Sequence, residues 1–231
     1  MDFVFNALLG AAATVEQPVD GQTGVWIKTG DTVVSSAMKM RGAVVSAGQT
    51  QYIYSRGVAT GGTIIGSASV LTGGLLESSL LLSAGARLHI PDGGGSCNGL
   101  TISGNYNTFA QQYGGVVTNV VMKQGSYDMY TARAFASGIV VSSGANRFAV
   151  LAGSATDITA YGLVRTSNSG VINSVTAMKG GRLEAIKGVM SNVIVSSGGT
   201  LTVSSGGSAL AVTSNTGATV TVLDGGYIEY E

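Results

Sequence analysis

Residues 194–212 read IVSSGGTLTVSSGGSALAV and contain the pattern that decides the fold. Two short apolar/polar segments, Leu201–Val203 and Ala209–Val212, each follow a Ser-Ser-Gly-Gly sequence. Alternation with a period of two residues is typical of β-strands that bury one face. Glycine beside serine favours a turn, because glycine reaches positive φ without steric penalty and serine hydrogen-bonds to nearby backbone. The stretch therefore predicts a strand, a turn, a second strand and a second turn.

Glycine recurs along the chain at a nearly constant interval, with successive steps of 18, 18, 19, 19, 21, 19, 18, 18, 18 and 19 residues. Apolar residues keep a fixed offset from it, since Leu183, Leu201 and Val220 each lie three residues after a glycine of the series. Periodic glycine in register with periodic aliphatic residues indicates stacked structural repeats. The series consists of Gly30, Gly48, Gly66, Gly85, Gly104, Gly125, Gly144, Gly162, Gly180, Gly198 and Gly217.

A unit of about 19 residues cannot bury its apolar side alone, so successive units are expected to stack. We predict an all-β fold, a single-stranded parallel β-solenoid (β-helix) of about ten to eleven coils with a glycine-marked repeat of 18–21 residues. Strands spaced ~4.8 Å apart would make a rod about 50 Å long. Residues 1–24 are predicted to form an N-terminal cap segment, because terminal repeats must shield the strand edge. The β-solenoid repeat domain is predicted to cover residues 25–231.

The composition excludes several classes of function. Charged residues make up 10% of the chain, and 12 Lys and Arg balance 12 Asp and Glu. A neutral, charge-poor chain argues against nucleic-acid binding, which rewards clustered Lys and Arg. Aromatic residues are 6% of the chain, so an aromatic-lined pocket for a small molecule is not expected.

Residues 44–65, VVSAGQTQYIYSRGVATGGTII, carry a family resemblance. They are similar to the passenger repeats of AIDA-type autotransporter adhesins, whose pattern is roughly V-x-S-G-G-x-Q-x-V-x-S-G-G-x-A-x-x-T-x-I. Residues 51–55, 57–59 and 63–64 follow this pattern position by position, and residues 194–212 follow it more loosely. The resemblance extends over residues 42–231.

The resemblance implies a strand-loop-strand β-solenoid on the bacterial outer surface or in the extracellular space. It implies a non-catalytic adhesin or autoaggregation passenger, acting through multivalent contacts along the rod. The partners would be a host or neighbouring cell surface, or further copies of the chain. In the resembled family, turn serines can receive glycans from a dedicated glycosyltransferase, and turn chemistry alone also explains serine at such positions. The candidate acceptors are Ser142, Ser143, Ser196, Ser197, Ser204 and Ser205.

The middle of the chain departs from the regular repeat. The step from Gly104 to Gly125 is the longest, at 21 residues, and insertions in repeat proteins often map to the binding face. Polar aromatic residues accumulate there. We predict either a bulge with tyrosine at the solvent boundary or a contact patch formed by Tyr106, Tyr113, Tyr127 and Tyr130.

Catalytic and metal-binding patterns are missing from the sequence, so we predict neither an enzyme nor a cofactor. The carboxylates fall at different phases of the repeat, whereas glycoside-cleaving solenoids need paired ones. His89 is the only histidine, Cys97 is the only cysteine, and neither has an evident partner. The glycine pairs are not followed by the Gly-Lys-Ser/Thr of a phosphate loop.

An alternative function is a self-assembling structural protein whose rods stack end to end into an extracellular filament. Head-to-tail contacts that do not close produce open fibres, and an uncovered strand edge can pair with another chain. The residues predicted for such stacking are Phe3, Phe5, Leu8, Tyr227, Ile228 and Tyr230.

Overall fold

A computed structural model of the chain describes residues 23–81, 85–104 and 109–231. These residues form β-strands and turns; among them is no helix long and apolar enough to cross a membrane. The predicted cap, residues 1–24 with Phe3, Phe5 and Leu8, lies outside the described residues except for Thr23 and Gly24. The early strands are β1 (Val25–Thr29), β2 (Thr32–Ala37), β3 (Lys39–Arg41), β4 (Val44–Val45), β5 (Gln49–Ile53), β6 (Val58–Thr60), β7 (Thr63–Ile64), β8 (Ser67–Val70), β9 (Leu75–Glu77), β10 (Leu80–Leu81), β11 (Arg87–Ile90), β12 (Ser96–Asn98) and β13 (Thr101–Ile102). The later strands are β14 (Phe109–Gln112), β15 (Val116–Met122), β16 (Ser126–Met129), β17 (Phe135–Val141), β18 (Arg147–Val150), β19 (Ser154–Ala160), β20 (Leu163–Thr166), β21 (Val171–Ala177), β22 (Arg182–Ile186), β23 (Val189–Val195), β24 (Thr200–Ser204), β25 (Ser208–Ser214), β26 (Thr219–Val222) and β27 (Tyr227–Tyr230).

The strands stack into two long sheets that run the length of the rod. Sheet I contains 12 strands in the order β2-β1-β5-β8-β11-β14-β16-β18-β20-β22-β24-β26, and sheet II contains 15 strands. From β5 to β26 sheet I is parallel, with one strand from each coil, which gives ten coils. The equivalent positions stack directly, as Leu183 on Leu201 and Leu201 on Val220. The predicted parallel β-solenoid is therefore confirmed, as is the fold that the passenger-repeat resemblance implied.

Each coil has a third corner that the sequence analysis missed. The seven-residue strands of sheet II bend at a residue with positive φ, for example Asn119 (φ 56), Asp157 (φ 56) and Asn192 (φ 50). Short polar side chains tolerate this left-handed conformation better than other residues. In the early coils the same corner separates two short strands, such as β3 and β4, around Gly42 (φ 61). Each coil thus has three sides rather than the two that were expected.

Polar side chains stack from coil to coil along this third corner. Asn119 donates from Nδ2 to Asn98 Oδ1 at 2.8 Å, and Asn192 donates from Nδ2 to Asn173 Oδ1 at 2.7 Å. The partners lie on adjacent coils, 21 and 19 residues apart in sequence. These exposed hydrogen bonds between amide side chains keep the corners of successive coils in register.

The Ser-Ser-Gly-Gly sequences form the predicted turns. Gly199 donates its N–H to the carbonyl oxygen of Ser196 at 2.8 Å, and the intervening Gly198 has φ +74. A type II turn requires positive φ at that third position, which is why glycine occupies it. The turn at residues 204–207 repeats the arrangement, with the Gly207 N–H donating to the Ser204 carbonyl at 2.7 Å.

The core is a column of inward-facing aliphatic side chains, one layer per coil. Leu183, Leu201 and Val203 have at most 1% of their surface exposed. Full burial of such a side chain contributes roughly 1.5–3 kcal/mol, so the stacked column is the main stabilising element. Cys97 lies in the same column, with 1% exposure, and burial raises the pKa of its thiol. A buried protonated thiol packs as a small apolar residue.

The N-terminal edge of sheet I is an antiparallel hairpin. Strand β1 pairs antiparallel with both β2 and β5, so the parallel coils begin with β3 and β5 and not at Val25 as the sequence suggested. Trp26, on β1, donates from Nε1 to the Thr23 carbonyl at 2.7 Å. The Lys28 ammonium lies 5.8 Å from the Trp26 ring centroid and 5.6 Å from that of Tyr52, within the range of cation–π attraction.

Candidate contact face

The outer face of sheet I carries a group of charged and aromatic side chains. Because side chains alternate along a strand, every second residue of each sheet I strand points away from the core. One line of outward positions runs along the rod through the centre of this face. Between β11 and β22 it consists of His89, Gln111, Asp128, Ala149, Arg165 and Glu184. We call these six positions the central line.

Tyrosine and histidine side chains form an aromatic cluster beside the central line. The rings of Tyr113 and Tyr130 are stacked, with centroids 4.8 Å apart and an interplanar angle of 11°. His89 packs edge-on against Tyr113 at 5.4 Å. The two tyrosines are half-buried and His89 is exposed. Tyr130 donates its hydroxyl proton to Asp128 Oδ2 at 3.3 Å. Burial is the first cause that raises the pKa of Tyr130, so its phenol stays neutral.

The structure brings together two of the four residues predicted for the contact patch. Tyr113 and Tyr130 meet as described, and Tyr106 lies outside the described residues. The prediction for Tyr127 is wrong, because its side chain points inward and has 0% exposure. Strand β16 places Tyr127 and Met129 inward and Asp128 outward. Composition groups the four tyrosines, but the alternation along β16 separates Tyr127 from the outward side chains.

Tyr127 belongs instead to a buried polar network within the core. Its hydroxyl donates to Gln112 Oε1 at 2.7 Å, and its ring packs against Phe148 at a centroid distance of 5.4 Å. Gln112 Nε2 donates to the carbonyl oxygens of Gly115 at 3.0 Å and Phe135 at 2.9 Å. All polar atoms of the Gln112 amide thereby have partners, as buried polar groups require.

We expect Tyr127→Phe to destabilise the protein by about 1–3 kcal/mol at neutral pH, because Gln112 Oε1 loses its buried donor. Burial, and secondarily the charge of Cys97, raise the pKa of Tyr127 well above its ordinary value of 10.0. A raised folded pKa means that the stability contributed by the neutral phenol is complete below pH 10 and is lost as pH rises further. The difference in urea midpoints between wild type and variant should therefore shrink above pH 10. A difference that stays constant from pH 7 to pH 11 would contradict this assignment.

A buried carboxylate on the outer face is paired with an arginine one coil away. Arg147 Nε donates to Asp128 Oδ1 at 2.9 Å and Arg147 Nη2 donates to Oδ2 at 2.5 Å. The Asp128 side chain has 0% exposure, whereas that of Arg147 is 39% exposed. The hydrogen bond to Asp128 raises the pKa of Arg147. The two residues are separated by 19 residues, but β16 and β18 pair with an offset of 21, so the repeat length alone does not identify the pair in the sequence.

A second carboxylate on the central line binds two arginines. Arg165 donates to Glu184 Oε2 from Nε at 2.8 Å and from Nη2 at 2.5 Å, and Arg182 Nη2 donates to Oε1 at 3.0 Å. Glu184 is 15% exposed, and the two arginine side chains are 34% and 62% exposed. The functional groups of both ion-pair clusters therefore converge on the central line.

The structure differentiates the serines predicted as glycan acceptors. Ser143, Ser197 and Ser205 are exposed at the tips of their turns, whereas Ser142, Ser196 and Ser204 are half-buried at the preceding position.

Within the described part of the chain, no group of three or more His, Cys, Asp or Glu residues could hold a metal ion. Of the six residues predicted for end-to-end stacking, three lie on β27, where Tyr227 and Tyr230 are each 55% exposed and Ile228 packs against the core. The other three, Phe3, Phe5 and Leu8, lie outside the described residues.

Comparisons with known proteins give few matches. No protein-family model matches the chain, and no curated protein matches it. Among solved structures, the chain is similar to one described as the crystal structure of a TibC-catalyzed hyper-glycosylated TibA55-350 fragment. The two are 21% identical with a TM-score of 0.42, and the match covers 84% of this chain and 96% of that chain.

Proposed function

We propose that the protein is a non-catalytic bacterial surface or secreted β-solenoid, an adhesin or autoaggregation passenger that acts through many contacts along the rod. One observation carries this proposal. Outward side chains of ten stacked coils form lines in which equivalent positions recur about every 4.8 Å. Such lines present repeated weak contact points to another surface, and multivalency converts weak contacts into strong attachment.

The exposed side chains of sheet II support a contact role for that side of the rod as well. Val116, Phe135 and Val171 occupy one outward line and are 44%, 37% and 40% exposed. Apolar residues that line up on a surface are typical of protein or membrane contact sites. The proposed partners are a neighbouring or host cell surface and further copies of the chain.

A glycosyltransferase is a second proposed partner. The exposed turn serines, Ser143, Ser197 and Ser205, are the accessible acceptors among the six predicted. Ser197 and Ser205 each precede a glycine with φ +74, so their turns share one backbone conformation and one enzyme site could accept both. Gly144, which follows Ser143, does not have positive φ. Intact-mass measurement of the protein from its native host would detect the added sugars.

The alternative, a filament of rods stacked end to end, has support from the exposed Tyr227 and Tyr230 side chains. Sedimentation velocity across a concentration series distinguishes the two functions. A single elongated species at all concentrations supports the contact rod, and species that lengthen in steps of about 50 Å support the filament.

Attachment tests the proposed function directly. Beads that carry the purified full chain should be retained on a layer of bacterial or host cells under flow. Beads that carry the same amount of heat-unfolded chain should wash off, because the lines of contacts exist only in the folded rod. Equal retention of the two kinds of bead on every cell type tried would refute the proposal.

A further inference from the structure

Arginine is concentrated on one side of a rod that has no net charge. Between β11 and β22, the outer face of sheet I carries four arginines and two carboxylates, although basic and acidic residues balance at 12 each in the whole chain. Sheet II is different, since its six strands from β15 to β25 contain one charged residue, Asp157. The group on sheet I consists of Arg87, Arg147, Arg165 and Arg182, with Asp128 and Glu184.

The neighbouring turn does not cancel this excess of positive charge. Asp92 is the carboxylate that follows β11, and it pairs with Arg133 at 3.0 Å across the turn region. Both side chains are exposed, at 55% and 76%. The turn pair is neutral as a whole, so the outer face keeps an excess of two positive charges, four arginines minus two carboxylates.

The ion pairs hold the arginines in fixed positions without hiding them. The Nε–Nη2 edge of Arg147 faces Asp128, so the opposite edge of its guanidinium points away from that carboxylate. Arg165 and Arg182 share Glu184, which leaves one of their two charges without a balancing carboxylate in this cluster. A guanidinium fork binds carboxylate or sulfate through two parallel hydrogen bonds. A side chain that is already ordered loses less entropy when it binds.

The arginines and the aromatic cluster occupy successive coils. Six consecutive strands of sheet I, β11, β14, β16, β18, β20 and β22, each contribute one of these side chains. In this order they are His89, Tyr113, Tyr130, Arg147, Arg165 and Arg182, and the two tyrosines follow directly after the last residue of their strands. Five strand spacings make this strip about 24 Å long. An extended polymer with a charged group on its repeating unit could contact the strip along its whole length.

The aromatic cluster favours a sugar chain over a nucleic acid. Bases bind proteins by stacking on open aromatic faces, but the facing sides of the Tyr113 and Tyr130 rings cover each other at 4.8 Å. Because the two tyrosines are half-buried and His89 is exposed, part of each tyrosine side chain and the imidazole remain at the surface. These groups form hydrogen bonds and apolar contacts with the hydroxyls and C–H groups of a sugar ring.

We propose that the outer face of sheet I from His89 to Glu184 binds a linear acidic polysaccharide. Arg147, Arg165 and Arg182 contact its carboxylate or sulfate groups, and Tyr113 and Tyr130 contact its sugar hydroxyls. This inference rests on the proposed function and names the ligand class and the surface for it. The repeat of the rod and the repeat of the polymer together provide the multivalency.

Binding of the purified full chain to alginate, heparin, dextran and poly-glutamate tests this proposal by titration calorimetry at low and physiological salt. The chain should bind alginate or heparin, more weakly as salt rises, and should not bind dextran. Arg182→Gln should weaken binding about tenfold, which corresponds to one charge-assisted hydrogen-bonded contact. Arg182 is 62% exposed, and Glu184 keeps Arg165 as its partner, so the variant should fold.

Lys39→Gln is the matched control, because Lys39 is exposed and lies on β3, a strand of sheet II and not of sheet I. It removes the same charge and should leave binding unchanged. Equal losses in the two variants, or no binding of alginate and heparin, would overturn the proposal. Dextran binding would indicate a neutral glycan instead, and equally tight poly-glutamate binding that depends on Arg182 would indicate an acidic peptide. If bead retention on cells persists in any of these cases, the proposed function survives and the ligand assignment alone fails.

Discussion

Gly181→Ala is expected to destabilise the folded protein by about 3 kcal/mol or more. A Cβ at this position would lie 2.0 Å from the carbonyl oxygen of Ala160 and 2.9 Å from its carbonyl carbon, both in the backbone of the preceding coil. The turn cannot move away freely, because the Gly181 N–H donates to Met178 at 2.8 Å and the Arg182 N–H donates to Gly162 at 3.0 Å. Urea unfolding followed by circular dichroism measures the loss.

Gly180→Ala is the matched control for this prediction, since Gly180 is the neighbouring residue in the same turn. A Cβ there meets nothing within 4 Å, but the residue has φ +82. The expected loss is about 1 kcal/mol, the cost of placing a non-glycine residue in the left-handed region. Equal losses for the two variants would show that the coils do not approach each other as closely as the structure has them.

Arg147→Met should cost about 3 kcal/mol, because it leaves the Asp128 carboxylate buried with only the Tyr130 hydroxyl as partner. Asp128→Asn combined with Arg147→Met should recover part of that loss, since the buried charge is then absent. A double-mutant cycle between the two positions gives the coupling free energy. Coupling below about 0.5 kcal/mol would contradict a buried ion pair at this site.

The exposed pair of Arg133 and Asp92 provides the control for the ion-pair prediction. Its N–O distance of 3.0 Å is normal, but the side chains are 76% and 55% exposed. Exposed pairs contribute little because water and salt screen them. Arg133→Met should therefore change stability by less than about 1 kcal/mol, although it removes the same type of charge.

The sequence predicted the parts of the fold that depend on local chemistry. Serine and glycine identified the turns. The constant spacing of aliphatic residues from the repeated glycines identified the stacked core positions Leu183, Leu201 and Val220, because these residues recur once per coil. The third corner was missed because Asn, Asp, Ser, Ala and Gly all occupy it, as Asn192 and Ala211 illustrate. Left-handed backbone at such a position is set by stacking on the neighbouring coils as much as by residue type.

The contact face was only partly predictable, because it depends on register between coils. Tyr127 and Tyr130 are three residues apart and lie on opposite sides of the sheet. Whether a tyrosine points inward or outward therefore depends on its position along the strand and not on composition. Asp128 lies opposite Ala149, and Arg147 reaches it diagonally from two residues earlier on β18. With steps that vary between 18 and 21 residues, these neighbours could not be assigned before the strand pairing was known.

The dependence of attachment on surface density tests the central claim, that the rod functions through many weak contacts along its side and not through one tight site. Retention of beads on a cell layer under flow would be measured as the number of folded chains per bead is varied, together with the dissociation rate of a single soluble chain. Retention should rise more steeply than in proportion to density, while single chains dissociate rapidly. Retention in simple proportion to density, with single chains that stay bound for the whole experiment, would contradict it.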